Sequence, residues 1–267
     1  ILSRFPIVAT EFVTFPPGIL ADAISQKGVL YAKIHVKDDY VHVFTTHTQA
    51  NYPGNDEKGR CIRGDQFMVM RNFIQSCFEK HHYKKDEVCL LMGDFNLDAR
   101  NCIVKTEKMK KYPGLKLYPH LAEKETFNEY EAVMCILSDN KNDEVKDLLY
   151  QKYGEHPVTF GDTYIDENGK VQPLEKVLTV KHSQGSMQSI DYMLYFIPKK
   201  MLKKIEENEE KKGRIVVNED SARVEKFFIK NRAFTQLSDH YGIVVSLEYK
   251  EKSEEPEKKV SQNDSKE

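Results

Sequence analysis

Asp94 and Asn96 follow an apolar run, Cys89 to Met92, in the segment "CLLMGDFNLDAR" at 89–100. The run predicts a strand that is buried on both faces, although a buried helix segment gives a similar pattern. An ionised carboxylate at the end of such a strand is costly unless a cation or several hydrogen bonds compensate it. The two side chains share one face of an extended segment and carry the hard oxygens that Mg²⁺ prefers. The segment therefore predicts a metal site or, alternatively, a turn rich in Gly, Asp and Asn.

A histidine and a carboxylate lie at two further strand-like runs. His240 ends "SDH" at 238–240, directly before the apolar run at 241–249, and Asp191 lies in "SIDY" at 189–192. Imidazole titrates near neutral pH, which makes His240 a candidate general base for a water molecule. A carboxylate such as Asp191 could hold the other ring nitrogen and fix the tautomer. The alternative is that Asp191 caps a turn and that Ser238 and Asp239 cap an element.

His47 ends the second strand of a predicted hairpin, in "TTHTQA" at 45–50. Taken alone, a histidine in a Thr-rich strand is more often an ordinary surface residue than a catalytic one. Gln49, two residues later, and Thr159 are candidates for the lining of a substrate pocket.

Four stretches, "TTHTQA", "GDFN", "SIDY" and "SDH", occur in this order, and each adjoins a strand-like run. Together they resemble the endonuclease/exonuclease/phosphatase superfamily, a group of magnesium-dependent enzymes that includes deoxyribonuclease-like proteins. Three stretches are similar to neutral sphingomyelinases in particular: "ADAISQKGVLYAKI" at 21–34, "THTQA" at 46–50 and "HPVTFGD" at 156–162. The resemblance extends from residue 1 to about Tyr249.

The resemblance implies an α/β fold, the four-layer α/β sandwich of deoxyribonuclease-like enzymes. It also implies Mg²⁺-dependent hydrolysis of sphingomyelin to ceramide and phosphocholine. In such a site Asp191 would orient His240, and His47 would bind the phosphate and act as general acid. The implied catalytic residues are His47, Asp94, Asn96, Asp191 and His240. The implied substrate-binding residues are Gln49 and Asn96, and the implied metal ligands are Asp94, Asn96, Asp239 and His240.

Two other functions fit the same motifs. One is a nuclease of the same superfamily, and the other is a catalytically inactive relative that binds phospholipid or a protein partner. The formal net charge is only -2, so the chain has no global basic field to hold a nucleic acid backbone nonspecifically. We therefore expect sphingomyelin or a related phospholipid as the partner, with peripheral membrane contact, and not nucleic acid. A secreted and a membrane-peripheral location both fit this expectation.

The composition supports a globular chain without a structural metal. The five cysteines lack CxxC spacing, which favours buried thiols over a disulfide framework or zinc site. No apolar run is long enough to cross a bilayer. We expect a catalytic domain at 1–249 and a charged, disordered tail at 250–267.

The periodicity predicts a coarse order of elements. We expect a hairpin at 29–36 and 40–48, a helix at 63–82, a strand at 88–95, and a second helix around 130–137. The polar stretch at 139–186 predicts a surface excursion, followed by strands at 187–196, 223–229 and 241–249.

Members of the superfamily carry an Asn and a metal-binding Glu before the region matched here. We therefore expect the domain's first strands to be missing and residues 1–267 alone to turn over weakly or not at all.

Overall fold

The computed structural model describes residues 1–84, 86–138, 143–198 and 214–251. The described residues form three α-helices: α1 (Asp56–Lys80), α2 (Glu129–Leu137) and α3 (Leu148–Tyr153). The strands are β1 (Ile7–Thr14), β2 (Gly28–Val36), β3 (Asp39–His47), β4 (Val88–Asp94), β5 (Ile103–Lys105), β6 (Thr126–Asn128), β7 (Asp143–Asp147), β8 (Thr163–Ile165), β9 (Val171–Pro173), β10 (Asp191–Pro198), β11 (Arg214–Glu225) and β12 (Gly242–Lys250). No helix in these ranges is long and apolar enough to cross a bilayer.

A six-stranded sheet with the order β1-β2-β3-β4-β10-β7 forms the platform of the molecule. Strands β3 and β4 are parallel, as expected for a connection through a long helix, and α1 supplies that connection. The other neighbours in this sheet pair antiparallel. The ends of β3 and β4 and the start of β10 therefore meet at one rim of the sheet.

Strand β4 is covered on both faces, as its continuous apolar run predicts. Cys89 and Leu91 join a large core that also contains buried residues of α1 and α2. Val88 and Leu90 join a second core, which β11, β12 and α3 complete on the opposite face. Among the described residues, α1 and α2, the central sheet, and the β11–β12 pair with α3 form three stacked layers, and the predicted α/β class is confirmed. All five cysteines are free thiols, and three of them are buried.

Helix α1 begins seven residues before the predicted start at Arg63, because its first turns bury charge instead of apolar side chains. The Arg63 guanidinium has no exposed surface, and its Nε donates to Glu129 Oε1 over 2.7 Å. Arg60 binds the other oxygen of the same carboxylate. Two arginines of α1 are thus neutralised by one glutamate at the start of α2, and hydrophobic periodicity carries no signal for such a cluster.

The predicted surface excursion at 139–186 is wrong in its first part. Strand β7 pairs with β10 at the edge of the main sheet, and α3 follows it directly. Leu148 and Leu149 of α3 are buried in the second core. The short polar stretch "DEVKD" is a usable edge strand because only one of its sides must pair.

The remaining boundaries need smaller corrections. The strand predicted at 223–229 overlaps only the last three residues of β11, which extends from Arg214 to Glu225. The helix predicted around 130–137 is present as α2, and the predicted hairpin is present as β2 and β3. Nearly all of the predicted tail, residues 252–267, lies outside the described residues, so the proposed domain limits stay a prediction.

We expect Glu129→Ala to lower the free energy of unfolding by about 3–5 kcal/mol, because two buried guanidinium groups lose their counter-ion. Urea denaturation at pH 7 measures this change. The control is Glu131→Ala in the same helix, whose carboxylate pairs with the half-exposed Lys124 and should matter by less than about 1 kcal/mol. Equal effects of the two variants would contradict the importance given to the buried cluster.

Candidate active site

The ends of three neighbouring strands place three of the candidate residues side by side. His47 ends β3 and lies in register with Asp94 at the end of β4. Asp191 begins β10 and lies opposite Asp94 on its other side. His47 Nε2 is 3.4 Å from Asp94 Oδ2. Pairing in the sheet therefore brings His47 next to Asp94, 47 residues away in the sequence, and Asp94 next to Asp191, 97 residues away.

Where the "GDFN" segment leaves the sheet, its apolar side chain is buried and its polar side chains lie at the rim. Gly93 has a φ of 143°, and a Cβ there would collide with the main-chain oxygen of Thr46 on β3. Phe95 is buried and stacks on Tyr192 of β10, with ring centroids 4.8 Å apart. Asn96 has a φ of 47°, in the left-handed region that Asn adopts more readily than most residues. The apolar side chain thus anchors the segment in the core and leaves its polar neighbours at the rim.

Asn96 and Asp94 are held to each other. The main-chain N–H of Asn96 donates to Asp94 Oδ1 over 2.7 Å, and its side-chain Nδ2 lies 3.3 Å from Asp94 Oδ2. The same Nδ2 donates to the main-chain oxygen of Thr48 over 3.1 Å. The Asn96 amide oxygen accepts no hydrogen bond from the described residues, which leaves it available to a ligand.

His240 lies beside Asp191, although the two residues are 49 positions apart. Its Nδ1 is 2.9 Å from Asp191 Oδ2 and 3.1 Å from Oδ1. The main-chain N–H of His240 donates to the hydroxyl of Ser238 over 3.1 Å. With Nδ1 directed at the carboxylate, Nε2 is the ring nitrogen left for a substrate or water.

The pKa values of the rim reflect its crowded charges. Burial lowers the pKa of His240, but the hydrogen bond and charge of Asp191, with the charges of Asp94 and Asp239, outweigh it and raise the pKa to about 9. Burial and the charge of Asp191 raise the pKa of Asp94 to about 6. The positive charges of His240 and Lys27 act to lower the pKa of Asp94 but do not outweigh these two effects.

A lysine that the motif search did not single out lies against the same rim. Lys27 Nζ donates to the main-chain oxygen of Thr48 over 2.6 Å and lies 2.8 Å from Asp22 Oδ1. Burial, followed by the positive charge of Lys27, lowers the pKa of His47. Lys27 belongs to "ADAISQKGVLYAKI", a stretch noted for resemblance and not for chemistry, so no spacing rule could have found it.

Gln49, a predicted substrate-binding residue, is fully buried. Its side-chain oxygen accepts from the N–H of Ile19, and its side-chain nitrogen donates to the main-chain oxygen of Ala50. These contacts support the loop that carries Asp22. A direct contact between Gln49 and a substrate would require that the side chain leave both partners.

Two further candidates lie next to the rim and not in its centre. Asp239 is half-buried, and its carboxylate is 3.5 Å from the hydroxyl of Ser238. Thr159 has no exposed surface, so it does not line a pocket directly. Its hydrogen bonds run to the segments that carry Asp191 and His240.

A cavity of about 1450 Å³ opens at the rim. Asn96 and His240 line it, together with Phe160, whose ring packs 4.8 Å from the His240 ring. The first turn of α1 and the segment around Lys108 also line it. The cavity is therefore large enough for a ligand that reaches well beyond the two reactive side chains.

The donors at the rim fit the Mg²⁺ ion that the resemblance implies. In the described ranges, no three His, Cys, Asp or Glu side chains lie close enough together to form a metal site. Mg²⁺ keeps several waters and uses few protein ligands, so it needs no such cluster. The carboxylate of Asp94 and the free amide oxygen of Asn96 are hard donors, and the pKa of Asp94 stays raised although His240 and Lys27 act to lower it.

Comparison with known proteins gives a consistent result. No family model matches the chain. A sphingomyelinase of Dictyostelium discoideum is 28% identical over 291 aligned positions, which cover 93% of this chain and 60% of the relative. Sphingomyelinase C of Listeria ivanovii is 26% identical over 193 positions, which cover 71% of this chain and 52% of the relative. The chain thus spans between half and two thirds of the length of these curated relatives.

The solved structure of sphingomyelinase C from Streptomyces griseocarneus superposes with a TM-score of 0.50 at 19% identity, over 91% of this chain and 65% of that chain. This similarity supports the fold. In sequence the chain is similar to sphingomyelinases, which is the similarity that the four motifs predict within the endonuclease/exonuclease/phosphatase superfamily. The resemblance expected from the four motifs is thereby confirmed, and the relatives named here are hydrolases.

We expect Asp191→Asn to bring the pKa of His240 down from about 9, because the variant loses the carboxylate's charge. NMR titration of the imidazole measures the shift. The folded pKa lies above the unfolded value of 6.5, so the pair stabilises the fold fully below pH 6.5 and less as the pH rises to about 9. Urea denaturation at pH 6 and pH 9.5 should therefore show a smaller pH dependence for the variant. Asp239→Asn is the control and should shift the pKa less, since Asp239 contributes least among these charges.

Proposed function

We propose that the chain is a magnesium-dependent phosphodiesterase that hydrolyses sphingomyelin to ceramide and phosphocholine. The observation that supports this proposal most directly is the contact between His240 and Asp191, beside Asp94 and Asn96 at one rim. Similarity to two curated sphingomyelinases favours this substrate over a nucleic acid. The proposal concerns activity and substrate, both of which belong to relatives longer than this chain.

His240 is the proposed general base. A phosphodiester resists attack because its oxygens are anionic, so the water must be activated and the charge must be compensated. Asp191 holds Nδ1, and Nε2 takes a proton from the water as the water oxygen bonds to phosphorus. The bond from phosphorus to the ceramide oxygen breaks in the same displacement. The products are phosphocholine and ceramide.

His47 is the proposed general acid on the other side of Asp94. Its imidazole is more than half exposed, so a substrate oxygen can reach it. Burial and Lys27 lower its pKa, which makes its protonated form a better proton donor to the departing ceramide oxygen. His47, at the end of β3, thus lies beside Asp94, and His240, directly before β12, lies beside Asp191.

Asp94 and Asn96 are the proposed magnesium ligands. When bound, the ion supplies positive charge to the phosphoryl oxygens. Without added positive charge, a pKa of about 9 keeps His240 protonated at neutral pH, where it cannot act as a base. The rim therefore needs added positive charge to offset Asp191, which holds His240 in place, and Asp94, whose charge also raises the pKa of His240.

We expect His240→Ala to lower phosphocholine release by about 10²- to 10⁴-fold, because the variant has no general base. The assay follows choline-labelled sphingomyelin in detergent micelles with Mg²⁺, for residues 1–267 and for the chain with any segment encoded upstream of Ile1 restored. His120→Ala, an exposed histidine away from the rim, is the control and should keep the parent rate. Cleavage of single-stranded DNA without phosphocholine release would support the nuclease instead. Lipid binding without turnover in every form would support the inactive relative.

We also propose that the chain contacts a lipid bilayer peripherally through the β8–β9 hairpin. Ile165 and Val171 are direct cross-strand partners, and their side chains are 71% and 67% exposed. Tyr164 beside them is also exposed. The segment that follows β9 contains Ser183 and Ser186, which line the cavity. Exposed apolar pairs next to the mouth of a lipid-hydrolysing site suit insertion into a membrane surface.

We expect the double variant Ile165→Ser, Val171→Ser to bind sphingomyelin and phosphatidylcholine vesicles several-fold more weakly, because it buries less apolar area in the bilayer. Vesicle flotation measures this binding. Val8→Ser, an exposed apolar position on the edge strand β1, is the matched control. Hydrolysis of a soluble short-chain substrate should stay the same in both variants. Unchanged flotation of the double variant would remove the hairpin from the proposal.

A further inference from the structure

Thr159 joins the two segments that carry Asp191 and His240. Its hydroxyl oxygen accepts hydrogen bonds from the main-chain N–H groups of Ile190 and Asp191, both over 3.1 Å. Its main-chain oxygen accepts from the N–H of Tyr241 over 2.7 Å. One residue therefore binds the start of β10 through its side chain and the residue after His240 through its backbone.

The neighbour of Thr159 strengthens the same connection. Phe160 forms β-bridges with both Gln188 and His240, and its main chain exchanges hydrogen bonds with Gln188 over 3.1 and 2.9 Å. The Phe160 ring packs against the His240 ring. The Thr159–Phe160 segment thus lies between the two elements and contacts each of them. A shift of this segment must change the position of Asp191 relative to His240.

We propose that Thr159 is a positioning residue whose hydroxyl sets the Asp191 main chain so that its carboxylate meets His240 Nδ1. The hydroxyl matters because it alone in this segment offers a side-chain acceptor to two adjacent N–H groups. Thr159 is fully buried, so without that acceptor the two N–H groups would be left unsatisfied away from water. The consequence for catalysis rests on the function proposed above, but the positioning of the pair does not.

The first test needs no turnover. NMR follows the low-field signal of the His240 Nδ1 proton and the hydrogen exchange of the Ile190 and Asp191 amides in the parent chain, Thr159→Val and Thr159→Ser. Valine has the shape of threonine without the acceptor, and serine keeps the hydroxyl. We expect Thr159→Val to lose the Nδ1 signal to solvent exchange and to exchange both amides faster, while Thr159→Ser keeps the parent spectrum. Retention of the signal and of amide protection in Thr159→Val would overturn the proposal.

A second pair of variants covers a failure of Thr159→Val to fold. Cysteine and serine have similar sizes, but a thiol is a much weaker acceptor than a hydroxyl. We expect Thr159→Cys to behave as described for valine and Thr159→Ser to behave as the parent. Identical spectra of the cysteine and serine variants would count against a role for the hydroxyl.

The kinetic test separates positioning from general stability. With sphingomyelin as substrate, we expect Thr159→Val to lower kcat by about 10- to 100-fold with little change in KM, since a misplaced base slows the chemical step. In an Asp191→Ala background the same substitution should have no further effect on kcat, because the residue that it positions is gone. Additive effects in the double variant would overturn the proposal. Absence of turnover in the parent chain would contradict the proposed function alone, and the NMR result would still decide the role of Thr159.

Discussion

Two carboxylates on paired strands, Asp94 and Asp191, form the constraint on which the rest of the site depends. Burial and the charge of Asp191 raise the pKa of Asp94, so the Asp94 carboxylate is costly to keep ionised. The surrounding groups reduce that cost from three directions: His240 binds Asp191, Asn96 donates to Asp94, and His47 lies beside it. The site is therefore an acidic pair with hydrogen-bond donors and cations arranged around it. The proposed phosphodiester is anionic and would need further positive charge to bind there.

The sheet tolerates these unfavourable charges because packing holds its strands in place where the charges lie. Strand β4 is buried on both faces, and Phe95 locks the turn that follows it into the large core. Neither carboxylate can move away from the other without breaking register along β4 and β10. The packing of the two cores thus offsets the unfavourable charges at one rim.

Some of this was predictable from the sequence, and the reasons are particular. A continuous apolar run identified β4 because local pattern and burial agree there. The four motifs identified the residues of the rim because each motif adjoins a strand, and strand ends gather at sheet edges. Gln49 and Thr159 were expected at a pocket surface, but both are buried, since sequence spacing does not distinguish a polar residue that faces a ligand from one that holds a loop.

Other features depend on partners too distant in sequence for any local pattern. The early turns of α1 are explained only by Glu129, 66 positions beyond Arg63. Lys27 contacts the rim by donating to the main-chain oxygen of Thr48. Residue types alone do not predict a contact with a main-chain atom. Strand β7 was missed because a polar edge strand has neither the alternation nor the apolar run that identifies its neighbours.

The cluster of Arg60, Arg63 and Glu129 also constrains how the sequence can diverge. Loss of Glu129 alone leaves two buried guanidinium groups without their counter-ion, and loss of one arginine alone changes the net charge of the buried cluster. Substitutions at these three positions are therefore tolerated only when they occur together. We expect the three residues to covary in related sequences.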